Sequence, residues 1–245
     1  GGAGAALVAG DGTGSVITVT AEDVTLRGLE IRGSGMNHPE VDAGVKLGRS
    51  ARRALVEDNL MVGNHVGVHV FGARDSLVRG NVIEGRRDHR MNDRGNGVYV
   101  WNAPGTVVEG NDIRHGRDGI FANASRQNVF RDNLFRDLRF AVHFMYTPDS
   151  EVSGNVSVAN TLGFAIMFSD RVNVIDNRSL SDRTHGLILN FANSGEVRGN
   201  LVRGGTQEKC TFIYNAHRNI IHENRYEGCE VGIHFTAGSE RNAIF

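Results

Sequence analysis

The sequence predicts an all-β fold, a right-handed parallel β-helix of about nine coils. An asparagine that follows glycine or an acidic residue recurs at a spacing close to 22 residues, with one gap of 30; a second gap of 30 separates Leu29, at the equivalent earlier position, from Asn59. The position three residues before each repeat is apolar, and 32 glycines accompany almost no helical periodicity. The recurring asparagines are Asn59, Asn81, Asn111, Asn133, Asn155, Asn177, Asn200 and Asn224.

The repeated asparagine is expected to be structural. Asparagine at equivalent turns tolerates the tight backbone and can stack into a ladder of side-chain hydrogen bonds between coils. Two residues before it, the charge alternates in sign from coil to coil, so neighbouring strands attract each other on a solvated face. The alternating residues are Arg27, Glu57, Arg79, Glu109 and Arg131.

Length and composition limit the class of protein. The chain has 245 residues and a net charge of -1, which predicts one domain over residues 1–245 and argues against a nucleic-acid partner. No apolar run reaches membrane-spanning length. The sequence stops in the middle of a coil, so we expect it to lack its C-terminal end. Cys210 and Cys229 fall in adjacent coils, but a disulfide requires Cα atoms within about 7 Å, and the spacing alone does not lead us to expect one.

The second strand of each coil begins with a small residue and then alternates between core and outside. With Ala165 as the small residue, Ile166 and Phe168 face the core and Met167 faces outward beside His143. The two outward columns contain no charged residue, which is typical of a binding surface and excludes the carboxylate pair that glycoside hydrolysis needs. The first column is His69, Tyr99, Phe121, His143, Met167, Ile188, Phe212 and His234; the second is Phe71, Trp101, Asn123, Met145, Ser169, Asn190, Tyr214 and Thr236.

The two gaps of 30 mark insertions at about residues 34–42 and 86–96. Both insertions come directly before an outward-facing strand, so both loops should leave the helix at the same corner. Loops on a rigid scaffold often carry function. The first insertion contains Met36 and His38, and the second contains His89 and Met91.

Histidine and methionine are paired at the same spacing on the outward face, as His143 and Met145, with Met167 one coil further on. Thioether and imidazole ligands suit Cu(I) better than Zn(II). The sequence therefore predicts a site for transiently bound copper, as Cu(I). Its ligands would be Met36, His38, His89, Met91, His143, Met145 and Met167. The simpler interpretation is that the methionines form an adaptable apolar contact and each histidine is a polar surface residue.

Several phrases of the sequence resemble one known family. They are G-N-G-V-Y-V-W-N-A-P-G at 95–105, G-R-D-G-I-F-A-N at 116–123, F-R-D-L-R-F-A-V-H-F-M-Y-T at 135–147, G-F-A-I-M-F-S-D at 163–170, E-K-C-T-F-I-Y-N-A at 208–216 and C-E-V-G-I-H-F-T-A-G-S-E-R-N at 229–242. The family is NosD, the periplasmic β-helix proteins needed to mature nitrous-oxide reductase. The resemblance is specific over about residues 95–245 and looser over 10–94.

The resemblance implies an accessory protein in the periplasm with no reaction of its own. Such a protein would work with a membrane ABC transporter, receive copper from a membrane-anchored copper chaperone, and help to assemble the copper-sulfur centre of apo nitrous-oxide reductase. The resemblance supplies no motif for the ligand positions, so the histidine and methionine assignment rests on the residues themselves.

Two other functions remain open at this point. Phe71, Tyr99, Trp101 and Phe121 could form a dry wall or partner contact beside a copper site, but they could also stack on sugar rings in a carbohydrate-binding or carbohydrate-cleaving β-helix. The absence of outward carboxylates makes the cleaving enzyme the weaker alternative. The remaining possibility is a scaffold without metal, whose outward face contacts only partner proteins.

Overall fold

The computed structural model describes residues 6–204, 209–236 and 238–245, and these form three parallel sheets of ten strands each. Every coil contributes one short strand to each sheet, so the chain is a parallel β-helix of ten coils. The sequence predicted about nine. The count was short because the tenth strand of the third sheet, Ala243–Ile244, follows the last recurring asparagine and so has no repeat of its own to mark it.

Strands are numbered in chain order. The first sheet consists of β1 (Ala6–Ala9), β4 (Leu29–Arg32), β7 (Leu60–Val62), β10 (Val82–Glu84), β13 (Asp112–Arg114), β16 (Leu134–Arg136), β19 (Val156–Val158), β22 (Arg178–Leu180), β25 (Leu201–Arg203) and β28 (Arg225–Glu227). The second consists of β2 (Ile17–Val19), β5 (Ala43–Leu47), β8 (Val66–Phe71), β11 (Val98–Trp101), β14 (Asp118–Asn123), β17 (Phe140–Met145), β20 (Leu162–Met167), β23 (His185–Asn190), β26 (Lys209–Tyr214) and β29 (Val231–Phe235). The third consists of β3 (Thr25–Arg27), β6 (Leu55–Glu57), β9 (Leu77–Arg79), β12 (Val107–Glu109), β15 (Val129–Arg131), β18 (Glu151–Ser153), β21 (Asn173–Ile175), β24 (Glu196–Arg198), β27 (Ile220–His222) and β30 (Ala243–Ile244).

The inward side chains of all three sheets fill one continuous apolar core. The largest fully buried side chains include Phe130, Phe135 and Phe144. The rings of Phe130 and Phe144 meet edge to face, with centroids 5.3 Å apart. Burying a phenylalanine side chain stabilises a fold by roughly 2 kcal/mol. The outer faces of the coils are therefore free to vary without loss of the core.

The asparagine ladder expected from the repeat is confirmed. The side-chain oxygen of Asn81 accepts hydrogen bonds of 3.0 Å from both the backbone N–H and the side-chain amide of Asn59. The same pair of bonds, 2.9 and 3.0 Å long, joins Asn81 to Asn111 across one of the gaps of 30. The ladder continues coil by coil to Asn224. It satisfies buried amide groups at every turn.

The alternating charges of the third sheet also pair as expected. Glu57 lies between two arginines, 3.4 Å from Arg27 and 2.7 Å from Arg79. Glu109 is 2.6 Å from Arg131. Pairs of this kind are exposed on the arginine side and contribute little to stability, about 0–1 kcal/mol each. This face is a solvated surface.

The structure corrects the predicted register of one coil. His143 pairs with Ala165 and Met145 pairs with Met167. Met167 therefore lies in the second outward column beside Met145, and not in the first column beside His143. The error arose because Gly163 and Ala165 are both small, and the sequence does not reveal which of them begins the alternation.

This correction changes which side chains of the coil are buried. Phe164 and Ile166 face the core, each no more than 2% exposed. Phe168, expected in the core, is 38% exposed at the turn that follows the strand. Ser169, expected in the second outward column, is buried in that turn, where its hydroxyl accepts a hydrogen bond from the backbone N–H of Thr147.

A disulfide joins Cys210 and Cys229, contrary to the expectation from spacing. Their Cα atoms are 5.6 Å apart, within the range that a disulfide requires. Cys210 is the second residue of β26, and Cys229 lies two residues before β29, the strand that pairs with β26 in the next coil. No other cysteine is present in the chain.

Residues 34–42 and 86–96 lie in the connections that lead into β5 and β11 of the second sheet. Both connections therefore leave the stack of coils at the same corner. Helical structure in the described ranges is limited to one 3-10 turn, Met91–Asp93, inside the second connection. No helix in those ranges has the length and hydropathy needed to cross a membrane.

Candidate functional site

The first outward column of the second sheet is a continuous stack of rings. His69 lies flat on Tyr99 with centroids 5.0 Å apart, Tyr99 lies 5.1 Å from Phe121, and Phe121 lies 4.9 Å from His143. In-register parallel strands place equivalent side chains directly above one another, so four rings in one column must stack. The stack fixes the position of His143 from the side of the preceding coils.

The second outward column begins with Phe71 and Trp101, whose rings stack with centroids 4.8 Å apart. The guanidinium group of Arg49 lies 5.2 Å from the Phe71 ring and 5.8 Å from the Trp101 ring, and Lys46 lies 5.9 Å from Phe71. Lys46 pairs in register with His69. The first outward column is therefore preceded, one coil earlier, by a positively charged residue. Cation–π contacts cover this end of the face.

A buried carboxylate lies beside His143, and the sequence did not predict it. Asp118 is 1% exposed, and its Oδ2 accepts hydrogen bonds from Nδ1 of His143 at 3.2 Å and from Nη2 of Arg139 at 2.6 Å. Burial alone would raise the pKa of Asp118, but the hydrogen bonds from His143 and Arg139 outweigh it and hold the pKa below its ordinary value. An ionised carboxylate only accepts, so Nδ1 of His143 carries the proton.

His143 consequently presents its other nitrogen in a fixed direction. Nε2 of His143 is buried and has no hydrogen-bond partner in the described structure. Phe121 packs against one side of the imidazole, and the ring of Phe140 meets it edge on at 5.0 Å. A histidine that donates Nδ1–H to a carboxylate while Nε2 stays free has the arrangement that metal-ligating histidines show.

Two thioethers lie next to this imidazole. Met145 is two residues after His143 on the same outer face, and Met167 is its in-register neighbour on the next strand. Both methionines are half-buried. Opposite His143 on that strand is Ala165. One nitrogen and two sulfur donors thus occupy neighbouring positions.

The second insertion brings its two predicted ligands to different places. Sδ of Met91 lies 3.9 Å from the hydroxyl of Thr161, at the corner just before β20. His89 remains nearer its own loop, where Nε2 is 3.5 Å from Asp88 and its carbonyl oxygen accepts a hydrogen bond from Arg94. The loop therefore crosses the corner toward the coils that carry Met145 and Met167.

The first insertion places its predicted ligands away from His143. His38 meets the ring of His65 edge on, with centroids 4.4 Å apart. Met36 lines a separate cavity at the N-terminal end, together with Asp42 and Lys46. The seven predicted ligands thus do not gather into one site; His143, Met145 and Met167 do lie together. Among the described residues, no three His, Cys, Asp or Glu side chains come close enough to hold a metal ion.

A second row of aromatic rings, at the turn after the second sheet, was missed by the sequence reasoning. Tyr146, Phe168 and Phe191 stack with centroids 5.2 and 5.1 Å apart and are 55%, 38% and 41% exposed. Tyr214 extends the row by an edge-on contact. The first three adopt φ of 53°, 49° and 49°, a strained conformation for bulky residues. Ala124 and Asn215 have φ of 50° and 45° at the equivalent turn, so this conformation belongs to the repeat. The exposure of three stacked rings is the feature that is typical of a binding surface.

The fold and the outer face define a class of protein, a β-helix scaffold with histidine and methionine side chains on one face and exposed aromatic rings beside them. Its family is shown by comparison with known proteins. The family described as "Periplasmic copper-binding protein (NosD)" matches residues 79–245. The chain belongs to the NosD family.

Two curated relatives support this membership. A protein of Stutzerimonas stutzeri named "Probable ABC transporter binding protein NosD" is 35% identical over 98% of the chain. A protein of the same name from Pseudomonas aeruginosa is 35% identical over 96% of the chain. Both are named as transporter-binding proteins and not as enzymes. The chain spans 58% of the length of each.

Solved structures support the fold. The Dettilon tailspike protein (gp208) matches 90% of the chain and 47% of its own, with a TM-score of 0.70 and 14% identity. DFA-IIIase from Arthrobacter chlorophenolicus, without its lid, matches 96% of the chain and 65% of its own, with a TM-score of 0.65 and 17% identity. At this identity the likeness extends to the β-helix alone.

Proposed function

We propose that this chain accepts copper, as Cu(I), on the outer face of its second sheet and passes it on during the maturation of nitrous-oxide reductase. The observation that carries the proposal is the free, buried Nε2 of His143, held in place by the carboxylate of Asp118. The thioethers of Met145 and Met167 complete a set of soft donors, and such sets favour Cu(I). Membership in a copper-binding family supports the choice of metal.

Copper would be cargo at this face. The donors sit on a half-buried sheet surface, so copper could be taken from one partner and given to another without opening the core. His143 would bind through Nε2, Asp118 would hold the imidazole in its orientation, and Phe121 and Phe140 would keep water from one side of it. Met91 lies beside Thr161, just before β20 begins, whereas Met167 ends that strand, so Met91 stands apart from these three donors. We propose no chemical reaction for the chain itself.

We further propose that the chain works in the periplasm with a membrane ABC transporter, a membrane-anchored copper chaperone and apo nitrous-oxide reductase. The names of the two relatives support the transporter, and the family description supports the compartment. The Cys210–Cys229 disulfide fits an oxidising compartment. The exposed aromatic row of Tyr146, Phe168 and Phe191 lies at the turn next to Met145 and Met167, and we propose it as the contact for one of these partners.

An anaerobic Cu(I) titration against a chromogenic chelator tests the copper site. We expect His143→Ala combined with Met145→Ala to lower the affinity about a hundredfold, because two of the donors are removed. The matched control is His234→Ala, which removes a histidine of the same column at its far end and should leave the affinity unchanged. An unchanged affinity in the double variant would contradict the site.

A further inference from the structure

The two insertions enclose a cavity of about 240 Å³ next to the ring stack. Val41 and Arg94 contribute from the two loops, and Tyr99 and Phe121 of the first outward column form an apolar wall. A volume of this size suits a small ligand. The cavity does not include His143, Met145 or Met167, so it is distinct from the copper site proposed above.

Two arginines that line this cavity, Arg94 and Arg117, are unusual in the chain. Both are half-buried, and neither forms an ion pair with a described carboxylate. Every other half-buried arginine in the described ranges has a carboxylate partner; these are Arg86, Arg114, Arg136, Arg139 and Arg198. A half-buried guanidinium group without a counter-charge is costly, because burial weakens its hydration.

The backbone positions of these arginines add to the excess of positive charge at this corner. The backbone N–H of Arg117 donates to the carbonyl oxygen of Gly95 at 2.7 Å, and the N–H of Arg139 donates to the carbonyl of Arg117 at 2.7 Å. Cationic residues thus follow one another along the corner, where like charges repel. Asp118 neutralises Arg139, but no described carboxylate does the same for Arg94 or Arg117.

Polar atoms at the cavity also lack partners. Nε of Arg117, Oδ1 of Asn96 and Nδ1 of His65 are buried, and none has a hydrogen-bond partner in the described structure. His65 is 5% exposed and lines the cavity. Buried polar groups are hydrogen-bonded in nearly all proteins, so these three atoms offer hydrogen bonds to a polar ligand or to water in the cavity.

The electrostatic environment of His65 agrees with an excess of positive charge. Burial is the main reason that the pKa of His65 falls to about 4, and the nearby His38, Arg86 and His89 lower it further, against the opposing effect of Asp42. Arg94 already gives two of its N–H groups to the carbonyl oxygens of His89 and His115, which leaves the rest of its guanidinium group available.

We propose that the cavity binds the oxyanion group, carboxylate or phosphate, of a small ligand between Arg94 and Arg117. A guanidinium group recognises such oxyanions through paired hydrogen bonds. Tyr99 and Phe121 provide the surface against which an organic part of the ligand would lie. The proposal does not depend on the copper site, and metal-free protein is sufficient to test it.

The test is calorimetric titration of the chelator-treated chain at low ionic strength with benzoate, benzamide and inorganic phosphate. We expect benzoate to bind, and its neutral isostere benzamide to bind about tenfold more weakly or not at all. Tighter binding of benzoate than of phosphate identifies an organic acid as the ligand class, and the reverse identifies a free oxyanion. Failure of both anions to bind at millimolar concentration overturns the proposal.

Variants locate the binding. Arg117→Gln should weaken anion binding about tenfold or more, and Arg117→Lys should restore part of it because the charge returns without the planar fork. Arg94→Gln gives an independent measurement if Arg117→Gln does not fold. The matched control is Arg178→Gln, an exposed arginine of the first sheet, which should bind as the parent does. Equal binding by the parent and both cavity variants contradicts the proposal.

Discussion

Among single residues, Asp118 has the largest consequence for the outer face. It is the buried acceptor for both His143 and Arg139, and it sets which nitrogen of His143 is free. Its role was not predicted from the sequence, because Asp118 precedes the small Gly119 and so lies before the alternation from which the outward columns were inferred. Asp118 begins β14 and pairs in register with Phe140, the residue after Arg139, which brings its carboxylate beside the next coil.

We therefore predict that Asp118→Asn weakens Cu(I) binding about 10–100-fold, because the amide no longer fixes the orientation of the imidazole. Asp118 is a positioning residue, so the pH dependence of copper binding should change as well as the affinity. The measurement is chelator competition across pH, with the exposed Asp176→Asn as control. A variant with the parent's affinity and pH profile would leave Asp118 a structural residue only.

Among the structural elements, the inner corner beside the first sheet contains a second polar ladder, which ends at a carboxylate. The backbone N–H of Leu138 donates to Oδ1 of Asn160, and the N–H of Asn160 donates to Oδ1 of Asp182. The hydroxyls of Ser157 and Ser179 donate to Oδ2 of Asp182 at 2.7 and 2.6 Å. Burial outweighs these hydrogen bonds and raises the pKa of Asp182 to about 6.

This ladder predicts a dependence of stability on pH. Because the folded pKa of Asp182 lies above its ordinary value of 3.8, the folded state is favoured while the carboxyl is protonated, and it loses stability as pH rises from about 4 to about 6. The loss is on the order of 3 kcal/mol. Denaturant unfolding of the parent and of Asp182→Asn across this range measures it. The free energy of unfolding of the parent should fall relative to that of Asp182→Asn as pH rises. A difference that stays constant with pH would contradict the prediction.

The fold and the candidate site could be predicted from the sequence only where the residues recur periodically. The repeat around Asn133 and its equivalents gave the coils, the third-sheet charges and most outward positions, because identical strands stack in register. It failed at Met167, where Gly163 and Ala165 are interchangeable as starting points. The periodicity could not predict the position of His38, because His38 lies in a loop that does not repeat. The contact of His38 with His65 depends on how that loop packs.

For the molecule as a whole, the disulfide acts locally. In a solenoid each coil contacts only its neighbours, so a constraint in one coil stabilises mainly the coils beside it. We predict that Cys210→Ser with Cys229→Ser lowers stability by about 2–4 kcal/mol in the last coils. Hydrogen exchange should quicken after Asn200 and stay unchanged before Asn133. Uniform quickening along the chain would contradict this nearest-neighbour behaviour.

The asparagine ladder also has a consequence for how the molecule can diversify. Asn59 and Asn81 are 22 residues apart and Asn81 and Asn111 are 30 apart, yet the hydrogen bonds across the two intervals are 3.0 and 2.9 Å. The stacking of the coils is thus insensitive to the length of the connection that leads into the second sheet. The loops that enclose the cavity can lengthen, shorten or change composition while the scaffold and the outer face stay the same, so ligand choice and architecture can evolve as separate modules.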